Sequence, residues 1–293
     1  MKQIDVKKLE KIKDKHLKYC KDLIPEIDSE TCNLLCCENP FDFANTNPEN
    51  PRCKYLKKDY WSFVDENIDY EKFYASFRTP QNAPKRNKDW NGIELLKALN
   101  IVVCPYCGMN YISPICKDKR SAMVKGVATF DHYLSKKDYK FLALNLYNLI
   151  PSCKNCNSTF KHDNPKVVIN PFIDEVENNI TFYINSKNIV KELLHHPTKF
   201  EIDIIYDITK ELVKNHVDVL CLKDRYNYFS SVAKSLIIKR YRYNDSFLTK
   251  LEQIFKNFSK IQFEQDLIKQ DILSNDEVFS KFKSDIWKQL SQK

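Results

Sequence analysis

Two cysteine pairs constrain this chain more than any other feature. Cys104-Pro105-Tyr106-Cys107 and Cys153-Lys154-Asn155-Cys156 each place two thiols in one tight turn, the spacing with which a loop offers two thiolates to a tetrahedral ion. Together Cys104, Cys107, Cys153 and Cys156 predict a closed four-sulfur zinc site. The stretch from 108 to 152 exceeds the spacer of a simple zinc ribbon, so the metal is expected to clamp the ends of an inserted element too small to bury a core of its own. The rival use of such a pair, a redox C-x-x-C, requires one pair on a thioredoxin-like βαβ unit, and the sequence outlines no such unit. The chain holds 11 cysteines. An odd count without a visible export signal disfavours a disulfide scaffold and favours reduced thiols held for metal.

A second group, Cys32, Cys36, Cys37 and Cys53, lies upstream, with Cys20 nearby. Its irregular spacing leaves two readings open, a second zinc or buried free thiols behaving as small hydrophobes. Cys116 and Cys221 read as core or loop cysteines. Only three glycines occur, so neither a G-x-G-x-x-G loop nor a Walker phosphate loop can be written anywhere, and nucleotide-driven chemistry would have to come from a partner. The formal net charge of +8 over 293 residues suits a polyanionic partner. No apolar run reaches the length of a membrane span, and the charged N-terminus lacks the pattern of a signal peptide. A cytoplasmic protein with no membrane partner is expected.

Periodicity divides the chain into a helical region 1–90, a central core 91–170 and a C-terminal region 171–293 of a small sheet and helices, an α+β architecture. Leu9, Ile12, Leu17, Cys20, Leu23 and Ile24 predict one N-terminal helix. A proline-rich loop, an aromatic run from Tyr60 to Phe77 and a second proline-marked linker follow. Ile93–Leu99 reads as a short helix. Residues 180–184 and 201–206 alternate as strands. Three amphipathic stripes close the chain, at Leu222–Leu236, Phe247–Ile261 and Phe279–Leu290, and are expected to pack a helical domain.

Between the cysteine pairs lie Asp131-His132-Tyr133-Leu134, Asn145-Leu146-Tyr147-Asn148-Leu149-Ile150-Pro151-Ser152 and, directly after the last thiolate, Asn157. Interleaved with the four cysteines, this order resembles the HNH nucleases of the ββα-metal fold in their four-cysteine branch, with asparagine at the third position. The likeness covers the central part of the chain. Elementary chemistry agrees with it. Phosphodiester hydrolysis at neutral pH needs a base to take a proton from water, and the imidazole of His132 has a suitable unperturbed pKa. A hard divalent cation, Mg2+ or Mn2+, would want oxygen ligands such as the Asp131 carboxylate and the Asn157 amide oxygen.

The resemblance further implies that Asn148 pins the loop that orients His132 and that Lys161 neutralises a phosphate. Lys136 and Lys137 read either as contacts to the nucleic-acid backbone or as ordinary solvated loop lysines. His162 reads as a solvent-exposed histidine at a helix end. The phrases Cys-Pro-Tyr-Cys-Gly, Asp-His-Tyr-Leu, Asn-Leu-Ile-Pro-Ser-Cys and Asn170-Pro171-Phe172-Ile173-Asp174 narrow the likeness to HNH proteins of bacterial anti-phage systems of the Septu type, including those attached to retrons. In those systems the nuclease is encoded beside an ATPase. Ser135 stands where that group usually has proline, and residues 1–100 have no counterpart in it. The expected activity is metal-dependent cleavage of DNA or RNA, since such a core contacts phosphate and sugar rather than base edges. The alternative is a catalytically silent zinc module that binds nucleic acid or a protein.

Overall fold

The structure is a computed structural model that describes residues 1, 3–41, 69–78, 89–116, 124–126, 128–162, 164–174, 178–193, 200–263, 266 and 277–291. Where one N-terminal helix was expected, the chain forms two, α1 (Lys7–Glu10) and α2 (Lys13–Leu23). The break at Lys11 and Ile12 follows from different packing partners. α1 lies against α5 (Gly92–Leu99), and α2 lies against α3 (Ser29–Cys37). Asp28 caps α3 by accepting from the backbone N–H of Glu30 and Thr31 at 2.9 Å each, and Asn91 caps α5 in the same way, satisfying donors that a helix start leaves orphaned. Of the aromatic run, residues from 70 onward form α4 (Tyr70–Arg78). Its earlier part, Cys53 and the Pro80–Pro84 linker lie outside the described residues.

The central region carries two antiparallel pairs. β1 (Pro114–Cys116) pairs with β2 (Val124–Gly126), and β3 (Ala128–His132) pairs with β4 (Leu149–Cys153). The latter register sets Ala128 opposite Cys153 and His132 opposite Leu149, so the thiols sit at one end of the hairpin and His132 at the other. β4 runs directly into a short π-type helix, Asn155–Lys161.

The two predicted C-terminal strands form as β5 (Ile180–Ile184) and β6 (Ile202–Tyr206), an antiparallel pair. The helices of this region are α6 (Ser186–Leu193), α7 (Glu211–Val219), α8 (Leu222–Asn227), α9 (Ser230–Arg242), α10 (Asp245–Ile254) and α11 (Ser280–Ser291). Side chains of α11 complete the free edge of β5. Asp285 accepts from Phe182 N and Gln289 from Ile184 N, both at 3.0 Å, pairing strand donors that a two-stranded sheet leaves open. The stripe 222–236 breaks at Tyr228 and Phe229 into α8 and α9. The stripe 247–261 departs from the expected packing, because only Leu248 of α10 is buried while Phe247 and Ile254 are 42% and 69% exposed. No described helix is long and apolar enough to cross a membrane.

One cluster of buried side chains extends from Met1 to Trp287. Its C-terminal part is aromatic: Phe182 meets Tyr226 at 4.2 Å and Phe282 edge-on at 5.2 Å between ring centroids. The Tyr226 hydroxyl donates to the Cys107 carbonyl at 2.6 Å, which ties this core to the first cysteine turn.

Candidate active site and metal centre

The first cysteine turn closes through Gly108 N–H on the Cys104 carbonyl at 2.8 Å. Gly108 has φ +66°, and a Cβ there would lie 2.4 Å from the Met1 nitrogen, so the turn requires glycine twice over. The second pair follows from β4 and the first turn of the helix after it. The four sulfurs converge to within 4.8 Å of one another, and all four residues are buried. Cys107 and Cys153 are 3.9 Å apart, close to the roughly 3.8 Å that Zn–S bonds of about 2.3 Å impose on a tetrahedral S4 site.

Donors point at the sulfurs, as they do at metal thiolates. Cys153 N reaches Cys104 Sγ at 3.4 Å, Asn110 Nδ2 reaches Cys153 Sγ at 3.4 Å, and the Arg225 guanidinium reaches Cys156 Sγ at 3.5 Å. Arg225 also stacks over Phe160. Hydrogen bonds led by the one with Cys104 hold the Cys153 thiol down to about 7. These four cysteines fit a zinc ion in number, donor type and spacing, and among the described residues no other group does. Cys32, Cys36 and Cys37 are instead buried on α3 beside Cys20 of α2.

At the other end of the hairpin, His132 closes β3. Its Nε2 lies 3.0 Å from the Ala143 carbonyl. A carbonyl only accepts, so Nε2 carries the proton and Nδ1 keeps its lone pair. Burial, opposed by that hydrogen bond and by Asp131, lowers the His132 pKa to about 4, and the ring is neutral at pH 7. Tyr74 of α4 packs edge-on against it at 4.4 Å.

Asn148 is fully buried, accepts from Leu134 N at 2.7 Å and donates to the carbonyls of Leu134 and Leu142 at 3.2 and 3.1 Å. It thereby ties the end of β3 to the turn that carries Ala143. The N-terminal helices grip the same segment. Asn145 donates to the Leu35 and Glu38 carbonyls, Leu146 N donates to the Cys36 carbonyl, and His16 meets the Leu144 carbonyl at 2.7 Å while accepting from Trp90.

Asp131 points the other way from His132, as neighbours on a strand do, and is 3% exposed. Its Oδ2 accepts from the Tyr106 hydroxyl at 2.7 Å and its Oδ1 from Lys161 Nζ at 3.0 Å. Tyr106 is the residue between the two cysteines of the first pair, so the thiol turn itself supports the carboxylate. Burial first, and then the Asp131 charge, push the Tyr106 phenol well up, which keeps it a donor. Asn157 and Lys161, four residues apart, both face β3. Asn157 Nδ2 donates to Thr129 Oγ1 and the Phe130 carbonyl, which turns its amide oxygen away from the strand. With the side chains so placed, the Lys161 ammonium sits on the Asp131 oxygen nearest the helix, and the Asp131 carboxylate and the Asn157 amide oxygen are the hard oxygen donors on this side of β3.

A groove of about 560 Å³ runs past Asp131, His132, Lys136, Asn157, Lys161 and Lys166. Lys136 pairs with Glu71 of α4 at 3.0 Å, and His162 is exposed at the helix end as expected. Sequence patterns gave no role to Tyr106, Tyr74, His16, Asn145 or Arg225. Of these only Tyr106 carried a signal, its place inside the first pair.

The Septu protein PtuB of Bacillus thuringiensis is 42% identical to the chain over 55 residues, 18% of this chain and 21% of that protein. The match thus spans about a fifth of the relative's length. No family model matches the chain, and no solved structure matches it.

Proposed function

We propose that this chain is an HNH endonuclease with a zinc-stapled ββα core, formed by β3, β4 and the Asn155–Lys161 helix, and that it is the effector of a Septu-type anti-phage system acting with a separate ATPase. The observation that carries the reading is His132. Its ring is fixed by a carbonyl on Nε2, its Nδ1 is unprotonated at neutral pH, and it borders a lysine-lined groove large enough for a nucleotide unit. In the proposed reaction Nδ1 takes the proton of a water as its oxygen attacks phosphorus and the bond to the leaving ester oxygen breaks. Asn148 holds the turn that orients the ring. Lys136, Lys137 and Lys166 line the groove where the polyanion would run. A Mg2+ or Mn2+ ion, implied by the resemblance, would stabilise charge on the phosphate, with Asp131 and Asn157 as the residues to hold it once Lys161 has moved aside. The ATPase partner rests on the likeness to Septu systems and on this chain's lack of any phosphate-binding glycine loop.

The Lys161–Asp131 pair favours a second reading, a silent zinc module whose acidic side chain is permanently neutralised. Incubation of the purified, zinc-loaded chain with supercoiled plasmid, single-stranded DNA and total RNA separates the two, run with and without Mg2+ or Mn2+ and with and without the product of a neighbouring ATPase gene. Cleavage of any substrate supports the nuclease. Binding without cleavage under every condition supports the silent module.

A further inference from the structure

Lys161 stands out among the charged side chains near the groove. It is 7% exposed, and its ammonium faces three oxygens: Asp131 Oδ1 at 3.0 Å, the His132 carbonyl at 3.1 Å and the Tyr133 carbonyl at 3.5 Å. A carboxylate and two carbonyls are the hard oxygen donors that a divalent cation takes. The other carboxylate oxygen accepts from Tyr106, so both oxygens already have a donor, and an ion approaching Asp131 would meet the like charge of the Lys161 ammonium 3.0 Å from it. A buried carboxylate and ammonium that satisfy each other are costly to separate unless each finds a new partner.

The fold provides those partners. Lys161 is the last residue of its helix, and the chain turns away at His162 with φ +36°. Its side chain borders the same groove as Lys136 and Lys166, where the phosphates of a polyanion would lie.

We infer that Lys161 is a resident counter-cation that gates the site: a divalent ion reaches Asp131 only when the Lys161 ammonium leaves it for the groove, where a substrate phosphate receives it. Loading of the ion and binding of the polyanion then favour one another by linkage, each strengthening the other by the same factor, and the chain without substrate is latent. This rests on the nuclease reading for the identity of the polyanion, whereas the gate itself is tested without cleavage.

Mn2+ titration of the zinc-loaded chain, followed by calorimetry and by the electron paramagnetic resonance signal of free Mn2+, compares wild type with Lys161→Met and with the double variant Lys161→Met/Asp131→Asn. The expected result is affinity at least about tenfold higher in Lys161→Met, because the carboxylate loses its resident cation, and loss of that gain in the double variant. Equal affinity of Lys161→Met and wild type overturns the gate.

A second measurement needs no variant. Reductive methylation of the wild-type chain, read by peptide mass spectrometry, should leave Lys161 protected without Mn2+ and modified when Mn2+ and a non-cleavable phosphorothioate oligonucleotide are present. The oligonucleotide is then replaced by inorganic phosphate to show that phosphate chemistry suffices to draw the lysine out. Protection of Lys161 under all conditions overturns the proposal. A chain that cuts no nucleic acid yet shows tighter Mn2+ binding in Lys161→Met removes the nuclease reading and keeps the gate. Cleavage with unchanged Mn2+ affinity does the reverse.

Discussion

The chain buries two groups of thiols and uses them oppositely. Cys104, Cys107, Cys153 and Cys156 come from two turns that face each other, and backbone amides, Asn110 and Arg225 point at their sulfurs. Within this group the thiols split: Cys107 and Cys153 are shifted down, in each case chiefly through the hydrogen bond with Cys104, while Cys104 is shifted up chiefly by burial and Cys156 chiefly by its hydrogen bond with Cys104. Cys20, Cys32, Cys36 and Cys37 sit on the facing surfaces of α2 and α3, and every one is shifted up. Burial leads for Cys20 and Cys37, the latter reaching about 12, while the neighbouring thiol leads for Cys32 and Cys36. Burial and number are alike, so neither makes a metal site. Convergence of the sulfurs and donors that favour the thiolate do. Among the described residues, Cys20, Cys32, Cys36 and Cys37 pack as small hydrophobes in a neutral interior.

The largest effect that separates the two groups is expected from Cys153→Ser. Binding energy of a structural zinc is folding energy, on the order of 10 kcal/mol in small zinc modules, so this variant should lose its zinc, as measured by elemental analysis, and the near-ultraviolet circular dichroism of its aromatic core. A folded, zinc-free variant would erase the distinction.

Next in size is a pH effect that belongs to the neutral interior. His16 accepts from Trp90 and faces the Leu144 carbonyl, and burial lowers its pKa from 6.5 to about 4. The folded value lies below the unfolded one, so between these limits the unfolded chain binds more protons and stability falls as pH drops. Urea unfolding of the zinc-saturated chain should show that wild type loses about 2 kcal/mol more than His16→Gln between pH 7 and pH 5. Equal losses would mean that this interior admits charge.

The smallest effect is expected from Cys20→Ala, a loss of about 1–2 kcal/mol for removing one buried group. Zinc stoichiometry should stay at one per chain. A fall from two zinc ions to one on this substitution would show that the N-terminal thiols also hold metal.

What the sequence made legible is what short spacing encodes. The two C-x-x-C pairs, the helix over Ile93–Leu99 and the alternating β5 and β6 are local patterns, and each forms as read. The links that build the site are not local. His16 reaches Leu144, Asn145 reaches Leu35, and Arg225 reaches Cys156. The first two end on backbone carbonyls, which leave no trace in residue identity. The Tyr106 and Lys161 contacts with Asp131 were hidden differently, because a tyrosine between cysteines is ordinarily read as packing, and Lys161 read as a cation for phosphate rather than for a carboxylate of its own chain. Periodicity also overstated α10, since an apolar stripe specifies a face without specifying what covers it.

The central claim, that His132 is the base of a phosphodiester hydrolysis, is tested most directly by single-turnover cleavage with His132→Ala and His132→Gln beside wild type, with zinc content matched. The glutamine amide can still donate to the Ala143 carbonyl but cannot take a proton from water. Both variants are predicted to retain zinc and fold, and to cleave about 10²–10⁴-fold more slowly than wild type. Wild-type rates in either variant would contradict the account.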